Sequence, residues 1–221
     1  MNFWILLALL FAAGEALAVW RENRRLEYFF KPAVMLCLLA FLLPGLAASA
    51  PLRWFALGIF FSLLGDLLLI EPDRFFLPGL AAFLLAHLAY IIGFNLPPAP
   101  PSALTFGLAL FVALTVFPLI RRILLAMRAS GQRALRTPVQ AYATVITLML
   151  LSALLTIFRT DWASGAALLA GGGAALFVAS DVVLAWNKFV QPVARGKLLN
   201  ILLYHLGQIL LVLGVAAQFA H

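Results

Sequence analysis

The chain has 221 residues, of which 65% are hydrophobic and 10% charged, and its mean hydropathy is +1.09. A soluble globular domain carries about 25% charged residues and at most about half apolar ones, so these proportions exclude a soluble enzyme, a nucleic-acid-binding protein and a disordered chain. The net charge of +7 does not by itself demand an acidic partner, because the placement of the charges decides what they do.

A membrane helix needs roughly 20 apolar residues, and eight such segments follow one another: 3–20, 32–49, 52–70, 77–94, 102–120, 137–157, 163–186 and 198–219. The first reads as a retained anchor, since no basic region precedes it and Arg21, Arg24 and Arg25 follow it. Cys37 lies in the second as a small buried hydrophobe, and a single cysteine excludes a disulfide framework or a cysteine-based metal site. Pro32, Pro51, Pro78 and Pro138 stand where helices are expected to begin, because proline tolerates the first turn. The stretch Asn95-Leu-Pro-Pro-Ala-Pro-Pro-Ser102 reads as a stiff surface turn. Gly171-Gly-Gly173 permits close helix approach. The fold class is therefore an all-α polytopic membrane protein, one eight-helix domain over residues 1–221.

The basic residues give an orientation. The odd-numbered connections hold 13 of the 15: Arg21, Arg24, Arg25 and Lys31; Arg74; Arg121, Arg122, Arg128, Arg133 and Arg136; Lys188, Arg195 and Lys197. The even ones hold only Arg53 and Arg159. Positive charge collects on the cytoplasmic side, so both termini are expected to be non-cytoplasmic. The expected localisation is a multi-pass protein of a bacterial inner (plasma) membrane. The bilayer, not nucleic acid, is the partner that the charge addresses.

Two halves resemble each other. Ser62-Leu-Leu-Gly-Asp66 and Phe177-Val-Ala-Ser-Asp181 each put a carboxylate late in a third helix. His87 and His205 each sit in a Leu-Leu-x-His-Leu run, with Tyr90 or Gln208 three residues on. The pattern suggests a 4+4 parallel repeat, with halves 1–98 and 99–221.

Polar residues inside spans are costly and face bundle interiors, so they mark function. At 1.5 Å per residue, Glu15, Asp66, Tyr142 and Asp181 lie about 8–10 Å from the nearest cytoplasmic polar residue, His205 about 12 Å, and His87, counted from Pro78, about 14 Å. Tyr204 and Gln208 share a helix face with that layer. Asp66 and Asp181 are the strongest candidates, because two buried acids are too costly for packing alone. For Glu15, His87, His205, Tyr142 and Tyr204 a structural reading stands beside the functional one: interhelical hydrogen bonds, or aromatics of the interfacial belt. A shared cavity opening to the cytoplasmic side explains the layer.

Gly65-Asp66, the run Gly79–Tyr90, the stretch Ala174–Phe189 with its Ser-Asp-x-x-Leu-Ala-x-x-x-Phe pattern, and Tyr204-His-Leu-Gly-Gln208 resemble the YhhN-like family of transmembrane lysoplasmalogenases. The resemblance covers roughly residues 26–219. It implies eight membrane helices and hydrolysis of the vinyl-ether bond of a lysoplasmalogen, a lysophospholipid, to a fatty aldehyde and a glycerophospho-alcohol. It also implies that the family's two aspartates fall on Asp66 and Asp181, its serine on Ser180, and its last-helix tyrosine and glutamine on Tyr204 and Gln208.

The residues suit that chemistry without the name. Protonation of the outer alkene carbon gives an oxocarbenium ion, water adds, and the hemiacetal collapses. One carboxylic acid and one carboxylate divide this labour, as in glycoside hydrolysis. Asp66 and Asp181 are the expected pair, with acid and base unassigned; His205 or His87 could replace one or orient water. Tyr142, Tyr204 and Gln208 would hold the glycerol hydroxyl or ether oxygen, and Arg121, Arg122 and Arg136 would steer the phosphate. The hydrocarbon chain would lie between helices, the substrate arriving laterally from the cytoplasmic leaflet. No cofactor is expected. A proton-coupled transporter is the main rival, although the polar residues occupy one half of the membrane only. A metal hydrolase is third, since two histidines and two aspartates could bind zinc but lack short ligand spacing.

Overall fold

The computed structural model describes residues 2–98 and 102–219, which form eight α-helices: α1 (Phe3–Trp20), α2 (Arg24–Leu42), α3 (Ala50–Leu69), α4 (Pro72–Phe94), α5 (Ala103–Ala129), α6 (Arg133–Leu155), α7 (Ser164–Phe189) and α8 (Gly196–Phe219). All eight are long and apolar enough to cross a membrane. Of the Pro-rich connection, residues 99–101 lie outside the described residues.

Five of the helices, α2, α3, α4, α6 and α8, start earlier than the hydropathy suggests. The Asn23 side chain accepts a hydrogen bond from the Leu26 amide and caps α2, which therefore begins eight residues before Pro32. Arg24, Arg25 and Lys31 are helical, not loop, residues. The same correction applies to α6, which begins at Arg133, so that Pro138 lies inside it. α4 begins at Pro72 but breaks at Phe75 (φ −119°, ψ 23°). The cause is Pro78, whose ring opposes the carbonyl four residues earlier, so Pro78 still sits in the first turn of the long segment. Pro51 stands at the start of α3, where the Ser49 hydroxyl caps the Leu52 amide. The basic residues thus extend the helices beyond their apolar stretches.

The most extensive packing pairs α7 with α8, α3 with α4 and α1 with α2. Glycine makes the α7–α8 approach possible. A Cβ on Gly173 would stand 2.4 Å from the Leu211 amide nitrogen, and one on Gly207 would stand 2.9 Å from the Gly173 carbonyl oxygen. At such separations backbone meets backbone, and no larger residue fits. Of the Gly171–Gly173 run only Gly173 has this role; Gly172 faces open space. A continuous core of Val34, Leu38, Phe55, Ile59, Tyr90, Phe177 and Leu211 fills the centre. α5 is the loosest member, packing mainly on α6 and α7.

At one end of the bundle, Arg159 ties the connections together. Its guanidinium donates to the Phe94 carbonyl (3.0 Å), the Pro97 carbonyl (2.8 Å) and the Asp161 carboxylate (2.6 and 2.9 Å). The opposite end, with the α1–α2, α3–α4 and α7–α8 connections, is open.

Candidate functional site

The open end leads into a cavity of about 350 Å³, and both Asp66 and Asp181 line it. Asp66 belongs to the buried face of α3 with Phe55, Ile59 and Ser62, a helical spacing that continues the core stripe into the cavity wall. Gly65 beside it lets the Phe83 ring lie against α3, since a Cβ there would stand 2.6 Å from that ring. Asp66 is completely buried. The Tyr204 hydroxyl of α8 donates to its Oδ2 (2.7 Å), and the Lys31 ammonium of α2 lies 3.3 Å from its Oδ1. The ammonium contact is an ion pair without hydrogen-bond alignment, because Oδ1 has no hydrogen-bond partner.

Asp181 enters from α7. The Tyr142 hydroxyl of α6 donates to its Oδ2. The same hydroxyl lies 3.0 Å from His87 Nε2 of α4, and that nitrogen lies 4.0 Å from Asp181 Oδ2. Tyr142 therefore bridges a histidine and a carboxylate. Ser180, the preceding residue, lies within 3.5 Å of Asp181 Oδ1 and also lines the cavity. Asn200 of α8 donates to the Ser180 carbonyl (2.8 Å), which fixes this turn of α7.

Apart from Tyr204, the other expected site residues lie outside the cavity wall. Glu15 of α1 and His205 of α8 form a buried pair in direct contact. Each keeps one polar atom without a partner, Glu15 Oε1 and His205 Nδ1. Gln208 belongs to a closed cluster in the core. Its Oε1 accepts from the Tyr90 hydroxyl (3.0 Å), and its Nε2 donates to Ser62 Oγ (3.1 Å). Tyr204 lines the cavity; His87 and Tyr142 stand behind Asp181. Of the nine residues singled out from sequence, Asp66, Asp181, Ser180 and Tyr204 meet around one space.

Several cavity-lining positions are not marked by hydropathy or motif. Hydropathy places Lys31 in a loop; the signal that finds it is the stripe Glu27, Lys31, Val34, Met35, Leu38, which follows helical spacing from the rim of the cavity into the core. The rim carries Arg24, Lys188 and Lys197, not the expected arginines. Arg122 instead lies over the Trp186 ring at 4.7 Å, and neither Arg121 nor Arg136 lines the cavity. Lys197 is bound to Glu27 at 2.6 Å, and Lys188 lies over the Phe76 ring at 4.8 Å. Among the described residues, no three His, Cys, Asp or Glu side chains come together as metal ligands could.

A cavity with two acids at its base and cations at its rim can bind an anionic head and perform acid–base chemistry on a neutral group. Comparison with known proteins gives this geometry a family. The YhhN family matches residues 26–215, and the chain belongs to that family. It is 32% identical over 198 residues to Lysoplasmalogenase TMEM86B of Homo sapiens, a match covering 88% of this chain and 79% of that protein. With Lysoplasmalogenase TMEM86B of Mus musculus the identity is 34% over 180 residues, 81% of this chain and 70% of the relative. With Lysoplasmalogenase of Mycobacterium tuberculosis it is 31% over 158 residues, 69% and 58% of the two chains. No solved structure matches the chain.

Proposed function

We propose that this protein hydrolyses the vinyl-ether bond of lysoplasmalogen-type single-chain lipids, with Asp66 and Asp181 as its acid–base pair. The observation that carries the reading is that both aspartates, from α3 and α7, line one cavity. The relatives' name, lysoplasmalogenase, supplies the substrate class.

The chemistry follows from the arrangement. A vinyl ether is electron-rich at its outer alkene carbon. A carboxylic acid held against that carbon delivers a proton, and the positive charge spreads over the inner carbon and the ether oxygen. The second carboxylate stabilises that oxocarbenium ion and takes a proton from the water that adds to it, the division of labour known from glycosidases. The hemiacetal then releases the aldehyde and the glycerophospho-alcohol. Lys31 and Tyr204 hold Asp66 at fixed geometry, and Tyr142 with His87 does the same for Asp181. Held partners cost no reorganisation during reaction. The rim cations Arg24 and Lys188 attract the headgroup phosphate. The positive-inside rule supports a cavity that opens toward the cytoplasm.

The test is purified protein in detergent with a 1-alkenyl lysophospholipid, following aldehyde release. Asp66→Asn and Asp181→Asn each reduce turnover by about 100-fold or more, the scale of lost acid–base catalysis. Wild-type turnover in both folded variants refutes the mechanism, and no aldehyde from the native protein refutes the substrate.

A further inference from the structure

Three hollows meet at one side chain. Asp181 lines the polar cavity and also two narrow apolar clefts of about 60 and 50 Å³, whereas Asp66 lines the polar cavity and neither cleft. The larger cleft lies between α5, α6 and α7. Val116, Ile120, Ile123, Ala143, Ile146 and Val182 are among its walls, and Tyr142 and Asp181 also line it. The cleft offers a ligand no other free polar group. The Thr147 hydroxyl is turned back onto the Ala143 carbonyl (2.6 Å), and the Tyr142 hydroxyl is engaged by Asp181 and His87. Ile120, Ala143, Thr147 and Val182 are half-exposed, so the cleft reaches the molecular surface. That surface is apolar: on α5, Phe106, Leu110, Phe111, Leu114 and Phe117 are 60–71% exposed.

We propose that the α5–α6–α7 cleft binds the hydrocarbon chain of the substrate, which passes from the bilayer between these helices until its polar end reaches Asp181. The occupant follows from the shared residue: the walls of the cleft are apolar and reach the molecular surface, the cavity has cations at its rim, and Asp181 lines both. A molecule filling both is a single hydrocarbon chain joined to a polar, anionic head. This inference rests on the hydrolase reading above for its chemistry, not for its geometry.

It also divides the roles of the two acids. The alkene carbon to be protonated belongs to the chain, so it lies at the cleft side, next to Asp181. The glycerol oxygen belongs to the head and lies in the cavity with Asp66 and Lys31. Asp181 gives its proton to the outer alkene carbon. Water adds to the inner carbon and its proton passes to the Asp66 carboxylate. In the collapse, Asp66 returns that proton to the departing glycerol oxygen as the carbon–oxygen bond breaks, and Asp181 recovers one from the hemiacetal hydroxyl. Both acids end as they began, and one water is consumed.

Two measurements test the chain site. In the first, Ala143→Phe and Ala185→Phe, both on residues that line the cleft and so narrowing it, are assayed with alkenyl substrates of long and short chain. Each shifts the ratio of kcat/KM for long over short chains downward by about 10-fold or more, the discrimination a closed apolar pocket gives. Ala141→Phe, on the exposed face of the same helix, leaves the ratio unchanged. An unchanged ratio in folded Ala143→Phe and Ala185→Phe overturns the proposal. In the second, an alkyl lysophospholipid with a terminal diazirine is photolysed with the native protein, and labelled peptides are mapped. Label on α5, α6 and α7 supports the chain site even in a protein that releases no aldehyde, and label confined to α1–α4 overturns it.

Discussion

Lys31→Met is the most informative single change, because it removes a charge while keeping the length of the side chain. The Lys31 side chain is 13% exposed and that of Asp66 1%, with 3.3 Å between ammonium and carboxylate. Little solvent is available to replace the lost partner. Breaking a buried pair from one side costs about 3–5 kcal/mol, because a charge is left uncompensated. Asp66 keeps the Tyr204 hydroxyl at 2.7 Å, which puts the cost at the lower end, about 3 kcal/mol. For a chain of this size each kcal/mol moves the midpoint by about 2–4 °C, so Tm falls by roughly 6–12 °C. Thermal unfolding in detergent, followed by tryptophan fluorescence, reads it directly. The double variant Lys31→Met with Asp66→Asn recovers most of the loss, since a neutral amide still accepts from Tyr204 and leaves no orphaned charge. A single variant as stable as the native protein, or a double variant no better than the single, refutes the reasoning.

Further expectations concern helix packing, the bridge behind Asp181, the closed polar cluster and the loop ion pair. Gly173→Ala drives a methyl group into the α8 backbone and costs about 2 kcal/mol or more, whereas Gly172→Ala, facing open space, leaves Tm unchanged. Tyr142→Phe removes the hydroxyl between His87 and Asp181 and lowers kcat by about 10-fold or more with a small change in Tm; equal kcat shows that the bridge is not used. Tyr90→Phe deletes the donor to Gln208 and lowers stability by about 1 kcal/mol without abolishing turnover. Hydrogen bonds from Arg159 hold the Asp161 carboxyl below the usual carboxylate range. The stability of that pair is therefore complete above about pH 4 and is lost as pH falls through the folded-state value; Asp161→Asn flattens the acid side of a Tm-against-pH curve.

The number of spans was legible because hydropathy over a span-length window is a sum, insensitive to any single residue. Asp66 and Asp181 were legible for the opposite reason, as single costly residues in otherwise apolar runs. Helix starts were not, because a helix that leaves the membrane continues as a polar helix. Hydropathy then marks the lipid boundary and not the backbone boundary, which is why Lys31 and Arg24 read as loop residues in the sequence. The Asn23 cap was present in the sequence and would have corrected this. Partnerships were least legible. Nothing in spacing along the chain indicates that Glu15 meets His205 across 190 residues, or that Gln208 turns inward to Tyr90 while Tyr204, one turn earlier, faces the cavity.

Each buried acid in the apolar interior has a partner from another helix: Glu15 with His205, Asp66 with Lys31 and Tyr204, Asp181 with Tyr142 and His87. A carboxylate facing hydrocarbon alone would cost about 2.5–3.5 kcal/mol even on an insertion scale, so these contacts make the acids tolerable and also join α1 to α8, α2 to α3 and α8, and α4 to α6 and α7. The proposed chemistry and the assembly therefore rest on the same side chains. Truncating an aspartate to alanine leaves a tyrosine hydroxyl without its acceptor, and lost activity in such a variant does not separate catalysis from folding. Asparagine keeps the acceptor and removes only the titratable proton. The contrast between Asn and Ala at Asp181 is thus itself diagnostic: if Asp181→Asn is as stable as the native protein and inactive while Asp181→Ala is both unstable and inactive, the carboxyl group does chemistry in addition to holding α6 against α7. Equal loss of Tm in the two variants gives Asp181 a structural role alone.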